Sequence, residues 1–296
     1  MKKRRLFAFL LALSFVLAFL CACTTDIGIS EKTVGEYPQR PSGAVDIYFI
    51  SVGKGDAAII CGDDAAIMVD TGENTAEKAV SAAITATGIT SLDALFLSHD
   101  HDDHIGNFKL VKDTLEVGCV YYPAIAILNK KGENIIKEKA KKFGLEKDAL
   151  RAGDKGTLAG GITYEVIGPI KADQSDNNNN SLVVRFTVNG RSVMFTGDME
   201  FREEQDLLES GADLSADVLK VGNHGNPDAT SKQFAEAARP SVAVISTLRS
   251  VDPDTAGARV MSVLSGAKVY ITDTVTGGIL VRILSDGTIE TYKVNS

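Results

Sequence analysis

The sequence predicts an α/β fold in which two β-sheets pack face to face and helices cover their outer sides. In both halves of the chain, apolar runs of strand length precede segments of helical periodicity, as expected for a layered fold of this kind. There is no repeat of fixed period and no second linker, so most of the 296 residues belong to one domain. A hydrophobic content of 44% and a charged content of 24% exclude disorder for most of the chain.

The first 22 residues have the pattern of a lipoprotein-type signal peptide. A basic segment at residues 2–5 precedes an apolar run at 6–20, and the following residues resemble a bacterial lipobox. Cys23 fits the lipidated position better than Cys21, because an alanine precedes Cys23 whereas a bulky leucine precedes Cys21. An ordinary cleaved signal peptide and an uncleaved anchor are the alternatives. The expected location is extracytoplasmic, with the protein either anchored to the cell membrane by a lipid on Cys23 or secreted.

Residues 23–44 are polar and contain two prolines, which predicts a flexible linker before a domain at residues 45–296. Loss of residues 1–22 lowers the formal net charge from −8 to −12, because four basic and no acidic residues are removed. A surface this acidic does not favour non-specific binding of nucleic acid, although a local basic patch stays compatible with it.

Strands and helices alternate along the predicted domain. Apolar runs bounded by turn residues predict strands at residues 45–50, 57–61, 65–69, 92–97, 117–121, 162–167, 182–188, 192–195, 218–221, 242–246, 269–272 and 279–284. Helical spacing and glycine stops predict helices at residues 75–87, 108–114, 132–143, 201–210, 232–238 and 258–264. Cys61 and Cys119 fall in strands and are expected to be buried free thiols, with a disulfide between them as the alternative.

Three of the four histidines lie within residues 98–104, whose sequence is SHDHDDH. This cluster follows an apolar strand and precedes a helix, and sites in open α/β folds lie at the carboxyl ends of strands. His99 and His101 point the same way on an extended segment, whereas Asp103 and His104 lie on the turn into the helix and can face a second point. These side chains suit Zn²⁺, Mn²⁺ or iron, and two ions about 3.5–4 Å apart are typical of two-metal hydrolases.

A cluster of this size cannot complete even one metal site, so more distant ligands are required. Three further strand ends carry suitable side chains, namely Asp70, Asp198 and His224. Taken alone, a strand-end aspartate is usually a turn former and a lone histidine is usually structural. Their occurrence together with the histidine cluster, at four strand ends in all, favours a metal site.

These motifs resemble those of the metallo-β-lactamase superfamily. The resemblance rests on His-x-His-x-Asp-His with an upstream Asp-Thr-Gly and a downstream Thr-Gly-Asp and histidine, and it runs from about residue 45 to the C-terminus. The segments at 52–57, 178–182, 196–198 and 220–225 are similar to the metallo-hydrolase domain of the ComEC competence proteins, which take up DNA. The resemblance implies a four-layer αββα metallo-β-lactamase sandwich that holds two divalent ions, zinc or manganese.

The resemblance also implies a role for each candidate ligand. The first ion takes His99 and His101, the second takes Asp103, His104 and His224, and Asp198 bridges the two. Asp70 would orient the cluster from behind.

Two departures from the family pattern are visible. The superfamily commonly supplies another histidine before Thr-Gly-Asp, but every histidine here is already assigned, so the first site is expected to be the weaker one. Asp252-Pro253 stands near the place where ComEC-like proteins often have His-Pro.

The leading functional hypothesis is a phosphodiesterase or nuclease of ComEC-like type that uses a metal-bound hydroxide. A metal ion lowers the pKa of bound water to about 7, and Asp103 or Asp198 is expected to orient this nucleophile as a catalytic residue. Asn180 and Lys220 are candidate substrate contacts, although Lys220 could equally be a solvated lysine at a strand end. The expected partners are DNA or another phosphodiester and, through the lipid anchor, the membrane; the sequence identifies no protein partner.

Two rival functions stay open at this point. One is an acyl or lactam hydrolase on the same scaffold. The other is a non-catalytic surface lipoprotein that binds DNA or another ligand.

Overall fold

Two mixed β-sheets form the centre of the protein, in a computed structural model that describes residues 29–296. The predicted signal peptide and Cys23 lie outside the described residues. The first part of the chain forms β1 (Ser30–Val34), β2 (Val45–Ile50), β3 (Ala57–Cys61), β4 (Ala66–Thr71), β5 (Ser91–Phe96), β6 (Glu116–Pro123) and β7 (Lys147–Leu150). The second sheet follows with β8 (Lys155–Thr157), β9 (Thr163–Gly168), β10 (Val183–Val188), β11 (Arg191–Phe195), β12 (Val218–Lys220), β13 (Val242–Ile245) and β14 (Lys268–Ile271). The chain returns to the first sheet with β15 (Gly278–Ile283) and β16 (Ile289–Val294).

Within residues 29–296, seven α-helices lie between these strands. They are α1 (Glu77–Thr87), α2 (Asp102–Ile105), α3 (Phe108–Thr114), α4 (Ile135–Lys142), α5 (Phe201–Ser210), α6 (Lys232–Ala238) and α7 (Ala258–Val263). The six predicted helices are all present, because each has an apolar face of helical spacing and most have a glycine or polar residue at an end. For example, α1 ends at Gly88, which adopts the left-handed conformation with a φ of 71°.

The sheets and helices form four layers, which confirms the predicted αββα architecture. The first sheet has the strand order β1-β16-β15-β2-β3-β4-β5-β6-β7, and the second has the order β14-β13-β12-β11-β10-β9-β8. One apolar core lies between the two sheets and includes Phe49, Phe96, Phe186 and Phe195. A second core packs α1, α3 and α4 against the first sheet, and a third packs α5, α6 and α7 against the second.

Parallel strands in both sheets bring several strand ends to one edge of the sandwich. β4, β5 and β6 pair in parallel in the first sheet, and β11, β12 and β13 pair in parallel in the second. The predicted ligands follow β5, β11 and β12 in the chain, and Asp70 lies at the end of β4, so all of these side chains lie at the carboxyl ends of parallel strands.

The segment before Val45 is part of the domain. β1 pairs in parallel with β16, and the Arg282 guanidinium donates to two backbone carbonyls of the segment that follows β1. The Tyr37 hydroxyl donates to the Asp46 carboxylate at 2.6 Å. The predicted flexible linker at 23–44 is therefore wrong for residues 30–44. Its polar composition reflects an exposed edge strand, which needs few apolar side chains.

Four strands were not predicted, namely β1, β7, β8 and β16. β7 and β8 are short and have one or no fully buried residue, so they lack the apolar run that marks a strand. The two cysteines in the described residues are free thiols; Cys61 is buried and Cys119 is half-buried. Among residues 29–296, no helix is both long enough and apolar enough to cross a membrane.

Candidate metal centre

The structure brings all six predicted ligand side chains together at the shared strand edge. They form two groups whose ligand atoms lie within 4.8 Å of one another, and Asp198 belongs to both. The first group is His99, His101 and Asp198. The second is Asp103, His104, Asp198 and His224. These groups are the ones that the sequence motifs imply.

The second group is the more enclosed of the two. The Asp198 Oδ2 atom lies 3.2 Å from Nε2 of both His104 and His224. The Asp103 Oδ2 atom lies 3.3 Å from Nε2 of His224 and 4.0 Å from Nε2 of His104. His104, Asp198 and His224 are buried, whereas the Asp103 side chain is 26% exposed. Four donors converge here, with one of them open to solvent.

The first group is smaller and more open. Nε2 of His99 lies 3.9 Å from Asp198 Oδ2, and the His101 side chain is exposed. Ser181 packs beside this group: its hydroxyl lies 3.4 Å from His99 Nδ1 and accepts a hydrogen bond from the Asp198 backbone N–H. Ser181 therefore supports the two ligands from behind and adds no imidazole to this group.

Hydrogen bonds on the far side of the rings direct each Nε2 atom inward. The His104 Nδ1 donates to Asp70 at 2.9 Å, and the His224 Nδ1 donates to the Ser246 carbonyl at 3.0 Å. A carboxylate and a carbonyl can only accept, so both Nδ1 atoms carry the hydrogen and both Nε2 atoms keep a lone pair when the rings are neutral. This is the arrangement in which histidine binds a metal through Nε2.

The backbone is strained where it presents these side chains. Asp70, Asn223 and His224 have φ values of 55°, 40° and 53°, in a region that residues other than glycine rarely adopt. Gly197 also has a positive φ, and a Cβ atom there would lie 2.8 Å from the Ser181 hydroxyl and from Ser98. Strain of this kind concentrates at functional sites, where surrounding contacts hold it in place.

The carboxylates create a strongly negative pocket. Burial alone would lower the pKa of His224, but Asp198 and Asp103 outweigh it and raise the value to about 9. The pKa of His104 is also raised, because the nearby carboxylates outweigh its burial. His99 behaves in the opposite way, since burial and the neighbouring His104 lower its pKa. Positive charge is therefore stabilised between Asp198, His104 and His224.

Several buried nitrogen and oxygen atoms of the centre have no hydrogen-bond partner within the described residues. They are Nε2 of His99, His104 and His224 and Oδ1 of Asp198. Buried polar atoms are normally paired, so a cluster of unpaired atoms that face one another requires a partner from outside the chain. Imidazole nitrogens and carboxylate oxygens suit Zn²⁺ and Mn²⁺. The residues present thus fit a pair of divalent ions.

Comparison with known proteins identifies the family. The model of the metallo-β-lactamase superfamily matches residues 50–247, which is more than half of the chain. The chain belongs to the metallo-β-lactamase superfamily. It is 30% identical over 229 residues to ComE operon protein 3 of Bacillus subtilis (strain 168), a match that covers 71% of this chain and 29% of the relative. It is 25% identical over 209 residues to competence protein ComA of Neisseria gonorrhoeae, covering 70% of this chain and 28% of the relative.

The predicted resemblance to the ComEC-like branch of the metallo-β-lactamase superfamily is confirmed by these relatives. The match spans less than a third of the length of either one. Among solved structures, the metallo-β-lactamase fold protein YhfI from Bacillus subtilis is similar, with a TM-score of 0.53 and 16% identity over 81% of this chain and 100% of that one. A likeness at this identity shows the fold alone. The chain is thus a hydrolase-family protein of metallo-β-lactamase fold with candidate metal-binding clusters.

One residue of the centre was missed in the sequence. Asp56 lies behind the histidines, 3.6 Å from Nδ1 of His224 and 3.9 Å from Nδ1 of His104, and forms an ion pair with Lys220. The sequence signal that could have identified Asp56 is its position directly after a Gly-Lys-Gly turn. Gly55 in this turn packs so closely on Asp103 that a Cβ atom on Gly55 would lie 2.6 Å from the Asp103 carbonyl oxygen.

The two predicted substrate contacts are not open to a substrate. Lys220 is buried and its ammonium is bound to Asp56 and to the Gly197 carbonyl, so it is neither a substrate contact nor a solvated lysine. Asn180 is fully buried. Its oxygen accepts from the Asp173 N–H at 2.8 Å, and its amide group donates to the Asp173 carbonyl at 2.8 Å and to Asn177 at 2.9 Å. Asn180 therefore holds the asparagine-rich loop in shape, and the predicted substrate role is wrong for both residues.

Proposed function

We propose that this protein is a two-metal phosphodiesterase or nuclease. The observation that carries the proposal is the pair of ligand groups that share Asp198, with the unpaired Nε2 atoms of three buried histidines turned toward one another. A shared carboxylate between two groups of this composition is the arrangement of two-metal hydrolases.

In this proposal, His99 and His101 hold one ion, Asp103, His104 and His224 hold the other, and Asp198 bridges them. Zinc or manganese bound here would polarise the scissile bond and make a water molecule acidic enough to ionise near neutral pH. Asp70 and the Ser246 carbonyl keep the His104 and His224 rings in the binding orientation.

The two catalytic aspartates have different tasks because their surroundings differ. Asp198 is buried, and its backbone N–H is bound to the Ser181 hydroxyl at 3.0 Å, so its carboxylate has a fixed position. Asp103 is partly exposed at the mouth of the site. Asp103 can therefore orient an attacking water from the solvent side, whereas Asp198 holds the centre together.

A phosphodiester is favoured as substrate for two reasons. One of the relatives is a competence protein, and competence is the uptake of DNA, a phosphodiester polymer. The first group also lacks a third histidine, which leaves the His99 and His101 side open for the oxygens of a substrate. Local contacts must supply the attraction for DNA, since the formal net charge of the chain is −8.

We further propose that the protein acts outside the cytoplasm, held to the cell membrane by a lipid on Cys23. The pattern of residues 1–23 supports this anchor.

A substrate panel tests the proposed function. The full chain, purified in detergent and loaded with Mn²⁺ or Zn²⁺, is given a single-stranded oligonucleotide, bis(p-nitrophenyl) phosphate and nitrocefin. We expect cleavage of the two phosphodiesters, loss of cleavage in His101→Ala and Asp198→Asn, and normal activity in Asp64→Asn, which changes an exposed carboxylate in the β3–β4 turn.

The other outcomes identify the rivals. Turnover of nitrocefin without cleavage of either phosphodiester would show an acyl or lactam hydrolase. Cleavage of none of the three substrates, with a metal content near zero and unchanged thermal stability, would show a non-catalytic binding protein.

A further inference from the structure

An ion pair joins two loops that border the metal centre. The Lys54 ammonium lies 2.7 Å from Oδ2 of Asp252. Lys54 belongs to the turn between β2 and β3, and Asp252 belongs to the loop between β13 and α7. The side chains are 38% and 21% exposed, so the pair lies at the protein surface and solvent reaches both partners.

Both loops are fastened to ligands of the centre. On the Lys54 side, the Asp56 N–H donates to the Asp103 carbonyl at 3.1 Å. On the Asp252 side, the Ser246 carbonyl accepts the hydrogen bond from His224 at 3.0 Å. In each loop, the residue of the ion pair is therefore only a few residues from one that contacts a predicted metal ligand.

The Lys54 ammonium also lies in the field of the catalytic carboxylates. Burial would lower its pKa, but the hydrogen bond to Asp252 and then the charges of Asp252, Asp103 and Asp198 outweigh this and raise it. Lys54 is thus a partly exposed cation that lies close enough to the carboxylates of the centre to interact with their charge. Lys220 differs from it, because Lys220 is buried behind the histidines and bound to Asp56.

We propose that Lys54 binds a non-bridging oxygen of the substrate phosphodiester. Asp252 is then a positioning residue, which holds the Lys54 side chain at the mouth of the site until the substrate takes the place of Asp252 as the partner of Lys54. This inference rests on the proposed phosphodiesterase function and adds a residue that supplies positive charge for substrate binding on an acidic protein.

The exchange of Asp252 for a substrate phosphate as the partner of Lys54 is energetically reasonable. An exposed ion pair changes an equilibrium constant by about fivefold or less, because water solvates both charges when the pair is broken. A charge-assisted bond from an ammonium to a phosphate oxygen changes it by about tenfold or more. A substrate that is already held at the metal centre can therefore displace Asp252 from Lys54.

The two halves of the pair should affect binding in opposite directions. In Lys54→Met, the dissociation constant of a labelled single-stranded oligonucleotide and the KM for bis(p-nitrophenyl) phosphate should rise about tenfold, because a cation contact is lost. In Asp252→Asn, both constants should fall by about two- to fivefold, because Lys54 no longer has a competing carboxylate. An ion pair that serves only to join the loops would give weaker binding and lower thermal stability in both variants.

The experiment measures fluorescence anisotropy with the oligonucleotide and initial rates with bis(p-nitrophenyl) phosphate, using the metal-loaded full chain. Lys232→Met and Glu236→Gln are the matched controls, since they remove the same charges from an exposed ion pair on α6. Both constants should stay within about twofold of the wild type in these controls.

The possible failures can be told apart. A wild-type chain that binds and cleaves the phosphodiesters, with Lys54→Met unchanged or with both variants weakened alike, would overturn this inference alone. A wild-type chain that neither binds nor cleaves any phosphodiester would overturn the proposed function and this inference with it.

Discussion

The Oδ2 atom of Asp70 accepts hydrogen bonds from Nδ1 of His104 at 2.9 Å and from the Ser98 hydroxyl at 2.7 Å. Its other oxygen accepts from the Ser98 backbone N–H at 2.7 Å. One buried carboxylate at the end of β4 therefore fixes both the start of the histidine cluster and the orientation of the His104 ring. The first prediction concerns this contact.

Asp70→Asn should lower the affinity for the metal ions by about 10- to 100-fold, because an amide has one neutral acceptor oxygen where the carboxylate has two charged ones. The amide oxygen cannot serve Ser98 and His104 at both positions, so the His104 ring is held less firmly with its Nε2 directed inward. Competition with a chromophoric chelator measures this affinity. Asp64→Asn, an exposed carboxylate in the neighbouring turn, is the control and should leave it unchanged. An Asp70→Asn protein with wild-type affinity would show that the contact does not orient the ligand.

The second prediction concerns the buried ion pair between Lys220 and Asp56. Lys220→Met should lower the free energy of unfolding by about 3–5 kcal/mol, because Asp56 is left buried without its counter-charge. Urea denaturation in the presence of EDTA measures this without a contribution from metal. The double variant Asp56→Asn/Lys220→Met should recover part of the loss. If the two changes are simply additive, the pair is not coupled and the explanation fails.

The third prediction is a pH dependence that arises outside the metal centre. Glu203 on α5 is buried, and neither of its carboxylate oxygens has a hydrogen-bond partner within the described residues. Burial, followed by the charges of Asp206 and Glu204, raises its pKa well above 4.5. The folded state therefore holds a proton that the unfolded state releases, so this group reduces stability as the pH rises above 4.5.

Glu203→Gln should accordingly increase the free energy of unfolding most at pH 8, and the gain should shrink as the pH is lowered toward 4.5. Urea unfolding of the variant and the wild type across this range is the measurement. Glu209→Gln, on the exposed side of the same helix, should show no such trend. A gain that is constant with pH would indicate a packing effect instead.

The fourth prediction tests the position of the domain boundary. A chain that begins at residue 45 lacks β1 and the bonds that Arg282 and Asp46 make to the segment after β1. It should be less stable than a chain that begins at residue 29 by about 3 kcal/mol or more, since these hydrogen bonds involve charged groups. Equal stability in urea would mean that residues 29–44 do not belong to the folded unit.

The grouping of the candidate ligands could be predicted from the sequence because each side chain lies at the end of an apolar strand or within a few residues of it. Asp70, Asp198 and His224 are far apart in the chain, but parallel strands bring their carboxyl ends to one edge. The apolar runs and the family motifs together were sufficient for this. The same runs located the central strands, whose buried residues are almost continuous.

Other features could not be predicted because the sequence does not show whether a polar residue is buried or exposed. Lys220 and Asn180 are residue types that suit substrate contacts. Only the folded structure shows that both side chains are enclosed and bound to other groups of the protein. β1 was missed for the converse reason, since it is a strand with an exposed, polar sequence. β16 has buried residues at Ile289, Thr291, Tyr292 and Val294, but the charged residues Glu290 and Lys293 interrupt the apolar run that marks the central strands.

We propose that one chain holds two metal ions, with the His99 and His101 group as the weaker site. The direct measurement is the number of zinc ions bound per chain as chelator strength is increased, by mass spectrometry of the metal content. We expect two ions in the wild type, released in two steps, and one ion in His101→Ala with only the tighter step left. A wild-type chain that holds one ion or none, or a His101→Ala chain that retains two, would contradict the claim.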